Sequence, residues 1–284
     1  MGNRVNMRAS INHLKAMTLI VVKAGGRALE QNIDNILKSI AVRAAKGLKM
    51  IFVHGGGDTV SRYETLMGIE PRFVISPQGI RSRYTDEKEL EVYVMVMAGK
   101  INKEIVAKLN IFGVKAIGLT GVDAGFMKAE RKKKIVILDE NNRKKIIPGG
   151  YTGMIKEVNA VLLTTLVDKG YLPVIAPIAF GEEGELLNVD ADQAAAKIAE
   201  SIPAEKLLIL TDVEGVLIED KLVKRITLEE VDTLKTRIGF GMNRKVLMCA
   251  SVVQTGVRES IISSGLIGDP LKALEDDLGT KITL

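Results

Sequence analysis

Residues 18–57 read TLIVVKAGGRALEQNIDNILKSIAVRAAKGLKMIFVHGGG. Two apolar β-like runs, Thr18–Val22 and Met50–Val53, each lead into glycines: Lys23-Ala24-Gly25-Gly26 and His54-Gly55-Gly56-Gly57. Between them Ile33, Ile36, Leu37, Ile40 and Ala44 recur at the spacing of one helix face. Short, continuously apolar strands joined through a helix describe a βαβ unit whose sheet is covered on both sides. A glycine loop between strand and helix offers unblocked backbone N–H groups, and the helix start adds partial positive charge. Together they make a site for a multiply charged anion, usually phosphate. Lys23 ends the first strand, where ligands of open α/β sheets bind.

The alternation continues along the chain. Thr85 is read as the cap of a long helix with Asp86 and Glu87 in its first turn, and Leu90, Val94, Met97, Ile101 and Ile105 as its apolar face. Ala116–Thr120, Leu172–Ile178 and Leu207–Thr211 are further short strands, although Pro173 and Pro177 point the second of them to a sheet edge or an irregular position. Ile135–Leu138 and Ile146–Ile147 read as the arms of a hairpin turning at Asn141-Asn142. Thr227 and Glu230 have capping-box spacing. The expected fold class is α/β with a largely parallel sheet. The weakest point along the chain lies near Ser201–Pro203, which sets lobes of 18–202 and 203–284. Residues 1–17 are set aside as a frayed extension or a mis-assigned start.

Hydrophobic residues make up 46% of the 284, enough for a sizeable core. No apolar stretch approaches the roughly 18 residues needed to span a bilayer, and no signal peptide is visible, so no membrane role is expected. The lone cysteine, Cys249, forms no internal disulfide and fits a cytoplasmic location; its apolar neighbours make it a buried helix position. Between Lys128 and Lys145 stand eight Lys or Arg against three Asp or Glu, while the whole chain has an excess of only five positive charges. The positive charge is therefore a local patch on the hairpin. Aromatic residues are only 4% and tryptophan is absent, so stacking platforms for nucleic acid are scarce. No nucleic-acid partner is expected.

Phosphoryl transfer asks for donor and acceptor in line, with positive charge around the transferring group. Lys23 supplies one such charge. Lys245 supplies another, just inside a helix begun by Gly241-Met242, from where its ammonium can bend back toward a phosphate. Asn188, Asp190 and Asp192 crowd a single turn ahead of Ala194, Ala195, Ala196, Ile198 and Ala199. Helix capping explains one of the two acids but not the crowding. His54 invites a catalytic reading, yet a carboxylate acceptor needs no general base, and a hydrogen-bonding role is favoured. There is no Walker loop, no dinucleotide fingerprint and no Cys/His metal cluster. Any Mg²⁺ must arrive with the nucleotide, held by its phosphates.

Lys23-Ala-Gly-Gly, His54-Gly-Gly-Gly, Asn188-Val-Asp-Ala-Asp192, Thr211-Asp212-Val-Glu-Gly215 and Gly241-Met-x-x-Lys245 resemble, as an ordered set, the amino-acid-kinase family, and within it the N-acetylglutamate kinases. The resemblance implies a three-layer αβα sandwich with two lobes, an N-lobe binding the acyl acceptor and a C-lobe binding ATP. It implies that Lys23 and Lys245 stabilise the transferring phosphoryl group while Asp192 positions both. Gly55, Gly56, Asn188 and an arginine would hold the acceptor. Gly25, Gly26, Thr211, Asp212, Gly241 and Met242 would line the nucleotide site. A homodimer is also implied.

Gly79–Glu89, Ala129–Lys134 and Gly149–Gly153 look like the kinases of archaeal lysine and arginine synthesis. Their substrate, 2-aminoadipate or glutamate, is attached through its amino group to the small acidic carrier protein LysW. Arg83 is then the substrate-binding arginine, and Arg81 a second contact or a surface charge. The hairpin around Arg131–Lys134 and Arg143–Lys145 would dock the carrier by charge complementarity. The alternative is an N-acetylglutamate kinase acting on the free small molecule. Aspartokinase is disfavoured because Leu284 follows closely on the kinase unit. Uridylate kinase is disfavoured by the Asn188–Asp192 pattern, and a dead nucleotide sensor by the intact lysines.

Overall fold

The computed structural model describes residues 19–235 and 237–284, and the extension expected over 1–17 lies outside them. Eight strands form the central sheet: β1 (Leu19–Ala24), β2 (Lys49–His54), β3 (Ala116–Thr120), β4 (Leu172–Ala176), β5 (Ala204–Thr211), β6 (Arg225–Thr227), β7 (Glu259–Ser264) and β8 (Thr280–Thr283). Their spatial order is β6–β8–β7–β5–β1–β2–β4–β3. Every neighbouring pair is parallel except β7 with β8. The helices are α1 (Gly26–Ala45), α2 (Gly57–Leu66), α3 (Glu87–Val94), α4 (Asn102–Ile111), α5 (Ala160–Asp168), α6 (Ala191–Ser201), α7 (Leu228–Leu234) and α8 (Phe240–Gln254).

Strand alternation divides the core into two layers. Leu19 and Val21 of β1 join a cluster with Ala194, Ala195 and Ile198 of α6 and Val246 and Val252 of α8. Ile20 and Val22 join the opposite cluster with Ile36, Leu37 and Ile40 of α1 and Ile105 and Leu109 of α4. The helices thus cover both faces, giving the expected αβα sandwich. By this parity Lys23 belongs to the face shared with α6 and α8, which decides the chemistry below. No helix among the described residues is long and apolar enough to cross a membrane.

Three local expectations are corrected. Leu172–Ala176 is an interior strand, between β2 and β3, and not an edge. The prolines are tolerated because the ladder to β2 involves only Val174 and Ile175, so Pro173 precedes it and Pro177 follows the strand. The cap of α3 is Asp86, not Thr85, in a reciprocal capping box with Glu89. The helical face is also rotated. Met97, Ile101 and Ile105 of the expected face are buried, but ahead of them Val92, Tyr93 and Val96 are buried while Leu90 and Val94 are only partly so, and a π-helical segment, Met95–Ile101, joins α3 to α4.

A smaller sheet, of Leu186–Asn188, Ile178–Gly181, Met127–Arg131 and Gly153–Val158, lies beyond the C-terminal ends of the main strands. Two hairpins flank it, Phe73–Ile75 with Arg81–Arg83 and Lys134–Leu138 with Lys144–Pro148. The second is the basic hairpin read from the sequence, and its turn residue Asn142 has φ of 58°.

Candidate functional site

Register brings three strand ends side by side. Ala24 pairs with Leu210 on one side and with His54 on the other. The next residues, Thr211, Gly25 and Gly55, therefore follow one another across the sheet at its C-terminal edge, the usual ligand crevice of such folds. The N–H groups of Gly25 and Gly55 do not face a ligand, contrary to the sequence expectation. They extend the ladder, donating to Leu210 and Ala24 carbonyls at 3.0 and 2.8 Å. The amides left over are those of the first turns of α1 and α2, beginning at Gly26 and Gly57. The two loops abut so tightly that a Cβ on Gly55 would lie 2.8 Å from the Gly26 nitrogen. A Cβ on Gly56 would collide with Ile101 and Met97 of the π segment. Side chains here would push the two loops apart and press into the apolar packing behind them.

Lys23, Asp192 and Lys245 meet at this edge. The Lys23 ammonium lies 2.7 Å from Asp192 Oδ1, and the Lys245 ammonium contacts Oδ2 of the same carboxylate. Strand parity aims Lys23 at the α6 face, where Asp192 occupies the first turn of α6 and Lys245 the first turns of α8. The aspartate side chain is 9% exposed, the lysines 7% and 22%. Burial pushes the Asp192 carboxyl up, but the charges of Lys23 and Lys245 and their hydrogen bonds outweigh it and hold it well below the usual carboxylate range. Burial works to lower Lys245 as well, and Asp192 outweighs it, so that ammonium is held above its ordinary value. Both remain charged at neutral pH. Asp190 caps α6 through Gln193 N–H at 2.9 Å, which separates the two acids: one is a cap, the other a clamp for two cations.

At the end of β5, Thr211 donates to the Asp212 carboxylate at 3.0 Å. Arg27, exposed at the start of α1, bridges Asp58 and Asp212 at 3.5 and 3.4 Å. Gly241 lies open in the first turn of α8, whereas Met242 packs against the α6–α8 core. Among the described residues no group of three or more His, Cys, Asp or Glu could hold a metal ion, and the buried Asp192 carboxylate is engaged by two ammonium groups. A Mg²⁺ ion would be held by nucleotide phosphates.

A cavity of about 290 Å³ opens at the Gly55-Gly56-Gly57 loop, lined also by Arg83, Tyr93, Met97 and Asn188 and by Ala191 and Arg244, the sequence neighbours of Asp192 and Lys245. Asn188 is set by its donation to the Thr85 hydroxyl at 2.9 Å, which is why Thr85 is fully buried and not a cap. Arg81 also borders the cavity, its guanidinium stacked 3.5 Å from the Phe73 ring centre. Lys132 lines it as well, and the sequence reading placed neither Lys132 nor Arg244 there. Arg244 is paired with Asp190 at 3.3 Å. Their neighbours in sequence gave no sign of it, since exposed basic residues carry no periodic signal.

His54 is fully buried, with Nδ1 3.0 Å from the Gly55 carbonyl and Nε2 3.2 Å from the amide of Asn102. Burial pushes its pKa down to about 4, so it is neutral and structural. A histidine with a depressed folded pKa stabilises fully above the unfolded value near 6.5 and loses that contribution as pH falls toward 4. Wild type is expected to lose up to about 3 kcal/mol more than His54→Gln between pH 7 and 4. Urea denaturation at the two pH values measures this.

Shared clamp, opposed glycine loops and a neighbouring cavity fit a phosphoryl-transfer enzyme. The chain belongs to the amino acid kinase family, whose sequence signature matches residues 18–264. It is 50% identical over 266 residues to the LysW-aminoadipate/LysW-glutamate kinase of Metallosphaera sedula, covering 93% of this chain and 100% of that one. It is 47% identical over 265 residues to the enzyme of the same name from Sulfolobus acidocaldarius, with the same coverage. Among solved structures, smu.665 from Streptococcus mutans UA159 superposes with a TM-score of 0.75 at 25% identity, over 93% of this chain and 98% of that one.

Proposed function

We propose that this kinase transfers the terminal phosphoryl group of ATP to the side-chain carboxylate of 2-aminoadipate or glutamate carried through its amino group on LysW. The carboxylate oxygen forms the new bond to phosphorus as the bond to the bridging oxygen of ADP breaks, giving an acyl phosphate and ADP. Lys23 and Lys245 neutralise the charge on the equatorial oxygens, and Asp192 fixes both ammonium groups before the reaction, so little reorganisation is needed. Amides at the starts of α1 and α2 take further charge. Arg83 and Asn188, with the Gly55-Gly56 loop, hold the acceptor in the part formed by 18–202. Thr211, Asp212, Gly241 and Met242 of 203–284, with Gly25 and Gly26, border the nucleotide. Mg²⁺ bound to the phosphates would shield their charge. The observation that carries this reading is one carboxylate gripping two ammonium groups, with the Lys23 ammonium beside Gly25.

Carriage on a protein, as opposed to a free small acceptor, is favoured by how the cavity opens. It shares Ser82, Arg83, Lys132 and Thr152 with a second cavity of about 520 Å³ between the two hairpins, floored by Val74, Ile135 and Val136. That groove offers a route for an arm of the carrier. Of the hairpin cations, Arg131 is tied to the Gly150 carbonyl at 2.7 Å and Arg143 to Asp139 at 3.1 Å. Lys133, Lys134, Lys144 and Lys145 stay exposed to meet an acidic surface. The deciding experiment incubates ATP with LysW bearing aminoadipate or glutamate, and in parallel with N-acetylglutamate. Mass spectrometry should find the acyl phosphate on the carrier only. Charge reversal at Lys133, Lys134 and Lys145 is expected to raise KM for the carrier about tenfold at low salt, and much less at high salt. Equal KM values across ionic strength would remove the docking role. Light scattering would test the homodimer, and fractionation the cytoplasmic location.

A further inference from the structure

Behind Arg83 stands a charged group that the transfer reaction does not use. Glu64, on α2, is fully buried, and its carboxylate Oε2 accepts from Arg83 Nη1. Arg83 Nη2 donates to the Gly57 carbonyl at 2.8 Å and to the Ser61 hydroxyl. Gly57, Ser61 and Glu64 lie on one stripe of α2, since residues four and seven apart share a helix face. These bonds use three of the five N–H donors of the guanidinium and leave two for a ligand in the acceptor cavity that Arg83 lines. The Arg83 side chain is itself only 9% exposed. Glu64 Oε1 is buried and accepts from no described group. Burying an ionised carboxylate with one oxygen unpartnered costs stability that its pairing offsets only in part, so the pair is poorly explained by stability alone.

We infer that Glu64 is the positioning residue for Arg83, locking the guanidinium onto the helix that starts at the Gly55-Gly56 loop so that one rigid element presents both to the acceptor. This rests on the reading of Arg83 as the ligand of the acceptor's free carboxylate. Because α2 begins at Gly57, the spacing between that carboxylate and the loop is set by a helix and not by two independent loops. Ser61 acts as the second clamp, itself donating to the Gly57 carbonyl at 3.2 Å. The charge of the pair is balanced, so the specificity comes from the direction of two fixed N–H groups.

The test measures kcat and KM for carrier-bound acceptor, KM for ATP and Tm for Glu64→Gln, Glu64→Ala, Arg83→Ala and the double variant Glu64→Gln/Arg83→Ala. Glu64→Gln keeps the shape and an acceptor oxygen; it is expected to raise acceptor KM about tenfold, and Glu64→Ala nearer a hundredfold, with KM for ATP within about twofold. Added to Arg83→Ala, the Glu64 change should raise acceptor KM no further, because residues acting through one another are not additive. Should Glu64→Ala fail to fold, the isosteric variant and the double variant decide alone. Equal rises in both KM values, or effects that multiply in the double variant, overturn the inference and leave Glu64 a packing residue. If Arg83→Ala leaves acceptor KM unchanged, the inference falls together with the acceptor-site reading on which it rests. Loss of the Glu64 effect alone leaves that reading standing.

Discussion

Lys23→Ala is expected to lower kcat about a thousandfold, the cost of removing one preorganised charge from a phosphoryl-transfer site. KM for ATP should change by only a fewfold. The ammonium of Lys23 is held by Asp192 at 2.7 Å on a side chain only 7% exposed, where a charge is screened less than in bulk water. In the loose transition state charge moves onto the bridging oxygen of ADP and spreads over the equatorial oxygens in one fixed geometry. Prepositioned ammonium groups match that geometry better than the ground state, so the loss appears in the chemical step and not in binding. Lys245→Ala should behave alike, and the double variant should lose less than the product of the two, because both cations serve one group through one carboxylate. Single-turnover kinetics with saturating ATP and carrier separates chemistry from product release. A loss confined to KM for ATP, with kcat preserved, would move both lysines from the transfer step to nucleotide binding.

Asp192→Asn should damage stability and catalysis together. In the native enzyme the carboxylate neutralises two ammonium groups at once, one of them on a side chain only 7% exposed. Removing it leaves two neighbouring cations without a counter-charge, and breaking a buried pair in this way costs about 3–5 kcal/mol. The folded carboxyl is held below the usual range, so its contribution is fully present above the unfolded value near 3.9 and fades as pH falls through the folded one. The stability gap between wild type and variant should therefore be full at pH 7 and narrow below about pH 4. In activity, Lys245, whose ammonium Asp192 holds above its ordinary value, should surrender its proton more easily, moving the alkaline limb of the kcat profile to lower pH. Urea titrations at pH 7 and pH 3.5, with a pH–rate profile, check both halves. A variant as stable as wild type at pH 7 would mean that water or another group already compensates the lysines.

The same molecule shows how far local patterns reach. The strand–glycine–helix unit at 18–57 was legible because strand hydrophobicity, glycine placement and helical period are all local. So were the capping box at Thr227 and Glu230, which the structure contains, and the basic hairpin with its turn at Asn142. The errors were also local in origin. Pro173 weakens a strand only if the neighbour its missing N–H would face needs that donor, and the ladder to β2 begins one residue later. The π segment at Met95–Ile101 shifts the buried face of a long helix, and the apolar spacing around it carries no mark of the extra residue.

By itself the chain determined which residues could carry charge to a phosphate: a strand-end lysine, an acid and a lysine each in the opening turns of a helix. Whether they meet was decided by tertiary structure alone. Their meeting depends on β5 being inserted beside β1 and on α6 and α8 packing against the same sheet face as Lys23, and strand order is a long-range property. The union of Arg83 with Glu64 is of the same kind. Opposite charges far apart in sequence find each other only when burial of the surrounding apolar surface, a nonlocal and non-directional force, has folded the chain around them.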